Sequence, residues 1–486
     1  VIASVPGEAA LRDALSPERL RRHLEVFAEL HRVSGTPDEG QAARYIVDEA
    51  RTHGVDAEIL ELDSLISWPG DGRLTVLDED RNPIVEIPAR TRAFGAQTPP
   101  GGVEAAVAYV PVAVPRSDQM LFSHRTTAGE YAEHDFAGKI VLSADGGPDG
   151  VLRAQERGAV AHVHSWPSNE DVIHEMIASG AWGTPTPESS RLLPRIPVLG
   201  ITRADGERLV ALLAARSLRV RVTSYVERRW LPLPLAVATI PGAASDDFLL
   251  VGAHLDSWYE GVTDNATGNA ALLEMARILA AHASMLRCGV RLAWWPGHST
   301  GRYAGSTWYA DTHFRELREH GIGYLNIDSP GVRETSIWDC RYTTGEVENL
   351  TTAVVRELSG QEPTVRRPVR AADQSFLGIG LPSLGAYRML PPDHRDRKTV
   401  GGSGGASWWH TPLDTLDKAD VAILSDDTRL YLTLVARMCQ PATIPYDFLP
   451  SAQEFNQHLV LLGHRAGTRI DLSAVLRATE ELRAAV

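Results

Sequence analysis

Three cysteines in 486 residues, far apart and without a C-x-x-C pair, are too few for a disulfide scaffold or a thiolate metal site. Cys288, Cys340 and Cys439 read as buried free thiols, which favours a reducing, cytoplasmic location. No apolar run approaches the ~18 residues of a membrane span. Basic residues are also in short supply: Lys plus Arg is 48 against 62 for Asp plus Glu, a net charge of −14. A phosphate backbone or an anionic lipid surface requires the opposite balance. The expected partners therefore include neither nucleic acid nor membrane. The opening residues have no basic n-region and no long apolar h-region of a secretory leader. What is present is the mix of a soluble globular chain, 43% hydrophobic and 23% charged. Its length suggests about three units, or a large domain carrying an insertion.

Residues 16–32 predict a helix, with Ser16 as N-cap and Pro17 at its first position. A second helix runs from about Glu39 to His53, before Gly54, and VDAEILELDSL alternates as a strand. From about 85 to 225 the texture changes to short strands (VEAAVAYVPV, KIVLSADG, AVAHVHSW, IPVLGITR) and short helices, richer in Gly and Pro. From 226 strands alternate with helices: DFLLVGAHLDS, the helix ATGNAALLEMARILAAHA, VRLAWWPG, the helix YAGSTWYADTHFRELREHG, then IGYLNIDSPG. That alternation implies an α/β fold, three layers with a mostly parallel central sheet, whose ligands bind at the carboxyl ends of the strands. The expected division is 1–84, an inserted 85–225, 226–445, and a helical extension 446–486.

Four polar clusters fall at those strand ends: His254-Leu-Asp256, Thr263-Asp264-Asn265 through Gly268, Asn326-Ile-Asp328, and Trp408-Trp409-His410-Thr411 through Asp414, Asp417 and Lys418. Histidine nitrogen and carboxylate oxygen are zinc donors, and a catalytic ion keeps a position for water. Two ions sharing a carboxylate can activate water and polarise a carbonyl together. Asp256 is placed to orient a ligand from behind, and Asn265 serves the site rather than a glycan, although Asn265-Ala-Thr267 is a sequon.

GAHLDSWYEGVTDNATGNAALLE, LNID and WHTPLDTLDKAD resemble the co-catalytic zinc aminopeptidases, the group of bacterial leucyl aminopeptidases, aminopeptidase Y and prostate-specific membrane antigen. The segment 85–225 resembles the protease-associated module that several such peptidases carry as an insertion. The resemblance covers about residues 226–440. It implies one metal held by His254, Asp264 and Asp328, with Asp264 bridging to a second that His410 also binds. Zinc is the implied ion, one or two per chain, with manganese or cobalt as substitutes. It implies a peptide or small amide as substrate, its amine or carboxylate near the metals, and leaves an oligomer open. ADQSFLGIGLPSL resembles a further family segment in which Gln374 replaces a histidine.

One departure bears on chemistry. Where the family carries two consecutive glutamates, a general base and a ligand, this chain has His298-Ser299. Serine is a poor neutral ligand, which leaves His298 as a metal ligand, as the base, a role its unperturbed pKa near 6.5 suits, or as a residue without a functional role. Two other readings compete. Gly297-His298-Ser299-Thr300-Gly301 also matches G-x-S-x-G between a strand and a helix, which would make Ser299 a nucleophile with Asp328 or Asp373 and His410 as partners. Arg302, bulky where such an elbow packs tightly, argues against it. The other is a catalytically degenerate homologue that binds metal or ligand in the old cleft. No substrate-binding residue stands out. Arg366, Arg367, Arg370 and Arg388 are the cations considered for a substrate carboxylate, with solvated surface as the plainer role.

Overall fold

Two strands of 22 residues each, antiparallel partners from Asp56↔Thr239 to Leu77↔Arg219, organise the chain. The computed structural model describes residues 4–111, 131–145, 147–215 and 218–486. The expected element ends at residues 112, 146 and 216 lie outside the described residues. In chain order the strands are β1 (Asp56–Leu77), β2 (Pro83–Thr91), β3 (Val103–Val110), β4 (Ile140–Ser143), β5 (Ala161–Ser165), β6 (Val198–Ile201), β7 (Arg219–Ile240), β8 (Phe248–His254), β9 (Gly289–Trp295), β10 (Gly321–Asn326), β11 (Ile337–Arg341), β12 (Thr364–Arg366), β13 (Ser383–Leu384) and β14 (Tyr387–Met389). Eleven of them form one sheet in the order β1-β2-β6-β5-β4-β3-β7-β9-β8-β10-β13, with β1 also paired to β7.

The far half of the β1–β7 ribbon closes with β2, β6, β5, β4 and β3 into a small α/β unit with cores of its own. The near half continues as the sheet that carries the chemistry. There β9, β8, β10 and β13 are parallel, whereas β1 and β7 run antiparallel. The central sheet is thus mixed rather than mostly parallel, because the chain leaves and re-enters it along one antiparallel ribbon. That ribbon continues through positions 69–77 and 219–226, with a bulge between Pro69 and Gly72, so the unit between grows out of the main sheet.

Side chains alternate across the sheet with the period of two that a strand dictates. Leu249, Val251, Leu292 and Trp294 enter a core with the helices Pro17–Ala28, Pro37–Thr52, Thr267–Ala281 and Val421–Cys439. Phe248, Leu250, Ala293 and Trp295 enter the opposite core with Tyr309, Leu317 and Phe376. The adjacent tryptophans are strand packing on two faces. Ser16 accepts the Arg19 N–H at 3.2 Å, the expected N-cap. The stretch expected as one helix after β9 is two, Ala304–Thr312 and Phe314–His320, parted at His313, whose ring stacks on Tyr309 at 4.3 Å. The extension is a pair of helices, Leu449–Ala466 and Ser473–Ala485. All three cysteines are free and buried. No helix among the described residues is long and apolar enough to cross a membrane.

Candidate metal centre

His254 is the last residue of β8, and Asp328 lies two residues beyond β10. Asp264 sits in the turn leading to the helix Thr267–Ala281 and is followed by a cis Asp264–Asn265 peptide bond. These three place one donor atom each within 4.8 Å of one another. His254 Nε2 lies 3.0 Å from Asp264 Oδ1 and 3.8 Å from Asp328 Oδ1. His410 Nε2 lies 3.1 Å from the other oxygen, Asp264 Oδ2. Four residues spread over 157 positions therefore converge on one carboxylate, in the arrangement that the sequence order suggested.

Both imidazoles are fixed from behind. His254 Nδ1 is 2.9 Å from the backbone carbonyl of Asp256, and His410 Nδ1 is 2.8 Å from that of Glu175. A carbonyl can only accept, so each Nδ1 carries the proton and each Nε2 is the donor atom of the site. Burial works against charge on His254, yet the Asp264 hydrogen bond and the charges of Asp264, Asp328 and Asp256 outweigh it and raise its pKa to about 10. Burial likewise raises Asp328, with the charge of Asp264 acting in the same direction. Such a concentration of buried anionic oxygen calls for a cation, and the donor set of nitrogen and oxygen suits zinc.

The surrounding residues hold this geometry. Asn265, fully buried, donates to the Ile327 carbonyl at 3.0 Å and accepts from Ser329 N at 3.0 Å and Gly268 N at 3.1 Å. It ties the Asp264 turn to the Asp328 loop and leaves no room for a Cβ at Gly268, which would meet Asn265 Oδ1 at 2.2 Å. Asp414 accepts from Thr263 N at 2.9 Å and Asp264 N at 3.1 Å. Asp256 orients His254 through its backbone rather than its carboxylate. The carboxylate instead accepts from the amides of His298 and Ser299 at 2.9 and 2.8 Å and from Ser34 Oγ at 2.8 Å.

That grip sets the loop after β9. The His298 ring stacks on His254, centroids 4.0 Å apart and 13° from parallel, and its Nδ1 lies 2.8 Å from Asp373 Oδ2. Asp373, 1% exposed, accepts from Ser306 Oγ at 2.7 Å on its other oxygen. His298 and Ser299 line the same cleft as Asp264, Asp328 and His410. Among the described residues no histidine reaches Ser299 Oγ within hydrogen-bond distance. Asp373 partners His298 and His410 faces Asp264, so the triad proposed for Ser299 is not assembled.

The segment between β5 and β6 was silent in the sequence and proves to be part of the site. Glu175 N donates to the His410 carbonyl at 2.9 Å, in exchange for its own carbonyl's bond to the His410 ring. His174, stacked on Trp166 at 4.3 Å, contacts the Trp409 carbonyl and lies 2.9 Å from Glu170. Left-handed backbone gathers around the cleft at Arg302 (φ 56°), Tyr303 (φ 68°), Ser329 (φ 55°) and His410 (φ 57°). Non-glycine residues rarely adopt it, and its clustering at a cleft accords with a functional site. Gln374 accepts from Ser383 Oγ at 2.9 Å, a structural contact.

Residues 236–435 match the model of Peptidase family M28. The chain is 21% identical to a protein of Zea mays named probable glutamate carboxypeptidase VP8, over 88% of this chain and 68% of that one. It is 35% identical to an aminopeptidase of Pseudomonas aeruginosa over 138 residues, which span 28% of this chain and only 25% of the relative. The solved aminopeptidase from Aneurinibacillus sp. strain AM-1 superposes with a TM-score of 0.67 at 21% identity, covering 90% of this chain and 98% of that one. That likeness shows a shared fold. Family match and relatives together support a metallopeptidase.

Proposed function

We propose that this chain is a metal-dependent hydrolase of an amide bond, aminopeptidase-like in architecture, in which the His298–Asp373 pair replaces the glutamate base of the resembled peptidases. The observation that carries the reading is the convergence of His254, Asp264 and Asp328 donors within 4.8 Å, with His410 on the second oxygen of Asp264. A divalent ion bound there, zinc by its donor set, would polarise the scissile carbonyl and acidify a bound water. Asp373 holds His298 by Nδ1 and thereby leaves Nε2 as the basic atom. His298 takes a proton from the attacking water and returns it to the leaving amine. The ring's stacking on His254 and its bond to Asp373 favour this role over a ligand role. Without a glutamate beside it, the His410 side of Asp264 offers two strong donors, so the His254 side is the tighter position. The substrate is a peptide or small amide, and the unit between β1 and β7 is the protease-associated module.

The test is elemental mass spectrometry of the purified protein, followed by hydrolysis of dipeptides and aminoacyl amides. At least one equivalent of metal is expected, with activity abolished by a chelator and untouched by a serine-directed phosphonate. Failure to bind metal after reconstitution with zinc, manganese or cobalt would overturn the reading.

A further inference from the structure

The cleft holds a cation without a counter-ion. Arg302 is 7% exposed and lines the cleft with His298, Asp328, His410 and Tyr342. Its guanidinium lies 4.9 Å from the Tyr303 ring centroid and 5.7 Å from that of Trp182. Five N–H donors in a fixed fork are available there. Among the described residues only Nη1 finds an acceptor, Tyr303 Oη at a long 3.4 Å, while Nε is buried without any and no carboxylate is within 4 Å.

Other buried arginines have firmer partners, although Arg92, Arg341 and Arg437 each also keep one buried guanidinium nitrogen unpaired. Arg437 grips Glu8 at 2.9 Å and Arg341 grips Asp339 at 3.1 Å, while Arg32 donates to backbone carbonyls, Leu255 O among them. The four arginines that the sequence offered for a substrate carboxylate are also engaged. Arg366 pairs with Asp339 at 3.1 Å, Arg367 with Glu348 at 2.7 Å, Arg370 with Asp149 at 3.7 Å and Arg388 with Asp427 at 3.0 Å. Of these, Arg302 alone both lacks an acid and lines the cleft.

Its position is built rather than accidental. Arg302 and Tyr303 are consecutive left-handed residues, and the Arg302 carbonyl accepts from Gly183 N at 2.6 Å. Gly183 lies so close to the helix Ala304–Thr312 that a Cβ would meet Thr307 at 2.7 Å. Segment 182–183 thus clamps the arginine between its backbone bond and the Trp182 face. A desolvated guanidinium prefers a planar, bidentate carboxylate.

Resting on the hydrolase reading, we infer that Arg302 binds a carboxylate of the substrate, which is therefore a short acidic amide or peptide with its anionic group close to the scissile bond. The carboxylate is either the terminal one of a dipeptide or the side chain of Asp or Glu. Loss of a buried, hydrogen-bonded charge pair costs at least ~30-fold in binding.

The experiment compares matched acid and neutral substrates: dipeptides with a free carboxyl against their C-terminal amides, and amidated dipeptides carrying Glu against Gln. On the wild-type protein, one acidic arm should exceed its neutral partner by at least ~30-fold in kcat/KM, and which arm does so identifies the source. In Arg302→Met that ratio should collapse toward one, chiefly through KM, and Arg302→Lys should restore only part of it. Equal rates for acid and neutral partners on the wild type would overturn the inference while leaving the hydrolase reading intact, and this comparison needs no variant. So would a preference that survives in Arg302→Met. Should no amide be cut, acetylglycine and acetylglycine amide are titrated calorimetrically into wild-type and Arg302→Met protein, with zinc and without. Tighter binding of the acid that depends on Arg302 sustains the inference even then, and its absence refutes it.

Discussion

Acid should destabilise the unit between β1 and β7 through a histidine that has nowhere to put a proton. His162, the second residue of β5, is fully buried, and neither ring nitrogen has a hydrogen-bond partner among the described residues. Burial above all, with the nearby Arg92 charge adding to it, pushes its pKa down to about 4. In the unfolded chain the same ring titrates near ~6.5. A base with a native pKa below its unfolded value takes its proton first in the unfolded state. Its share of stability is therefore intact above ~pH 6.5 and drains away between there and ~pH 4. At pH 5 the ring stands about 1.5 units below its unfolded pKa, which at ~1.36 kcal/mol per unit costs about 2 kcal/mol. His164, held low by burial and by Arg92, drains in the same direction. The perturbation is His162→Leu. Urea unfolding at pH 7.5 and pH 5, with hydrogen exchange on the β4, β5 and β6 amides to localise the loss, should show the variant losing about 2 kcal/mol less than wild type on acidification. At pH 7.5 the variant should be neutral or slightly stabilised, because two unpaired buried nitrogens are removed. An identical acid loss in both proteins would refute the assignment of that proton to His162.

Asp373→Asn should lower kcat by ~10²–10⁴-fold with metal content unchanged, because His298 loses the carboxylate that fixes its Nδ1; Ser299→Ala should cost little, and the two together separate proton transfer by His298 from serine chemistry in steady-state kinetics. His174→Phe keeps the stack on Trp166 but frees the Trp409 carbonyl, and should weaken metal binding on the His410 side ~10–100-fold in chelator competition while sparing the His254 side. Glu8→Gln removes the acid that Arg437 grips at 2.9 and 3.0 Å inside the core, and should cost ~3 kcal/mol in thermal or urea unfolding.

What could be seen in the sequence is what local pattern determines. His254 and Asp328 were legible because each sits at the carboxyl end of a strand, where an α/β sheet presents its ligands, whereas Asp264 and His410 lie in turns and stood out by residue type and order. Ser16 declared its helix by a cap three residues from its donor. The helix Val421–Cys439 has an equivalent cap in Asp420, which accepts from Ala422 N and Ile423 N, but nearly its whole circumference is buried and no polar stripe marks its period. The break at His313 hid inside a continuous amphipathic pattern. The roles proposed for Asp373 and Arg302 depend on contacts that no spacing encodes: Asp373 reaches His298 across 75 positions, and Arg302 stands out because it lines the cleft while its neighbours offer it no acid. Arg366, Arg367, Arg370 and Arg388 illustrate the converse, since each pairs with an acid that the sequence does not display.

The two sides of the metal centre consequently rest on different foundations. His254, Asp264 and Asp328 stand on β8, β10 and the turn between, cross-tied by Asn265 and Asp414 inside the main core. His410 stands on a loop whose backbone and ring are held by Glu175, with its ring stacked on Trp409 at 3.5 Å and the Trp409 carbonyl held by His174. Both Glu175 and His174 belong to the unit that the β1–β7 ribbon carries. Local opening of that unit would withdraw the support of His410 and leave the other three donors in place, because no hydrogen bond described above ties them to segment 166–184. The same segment supplies Trp182 and Gly183 to Arg302. Ordering of that unit therefore bears on His410 and on Arg302, the cation we infer to hold the substrate, together, and His162 and His164 place its acid-labile point in the strand that leads directly into that segment.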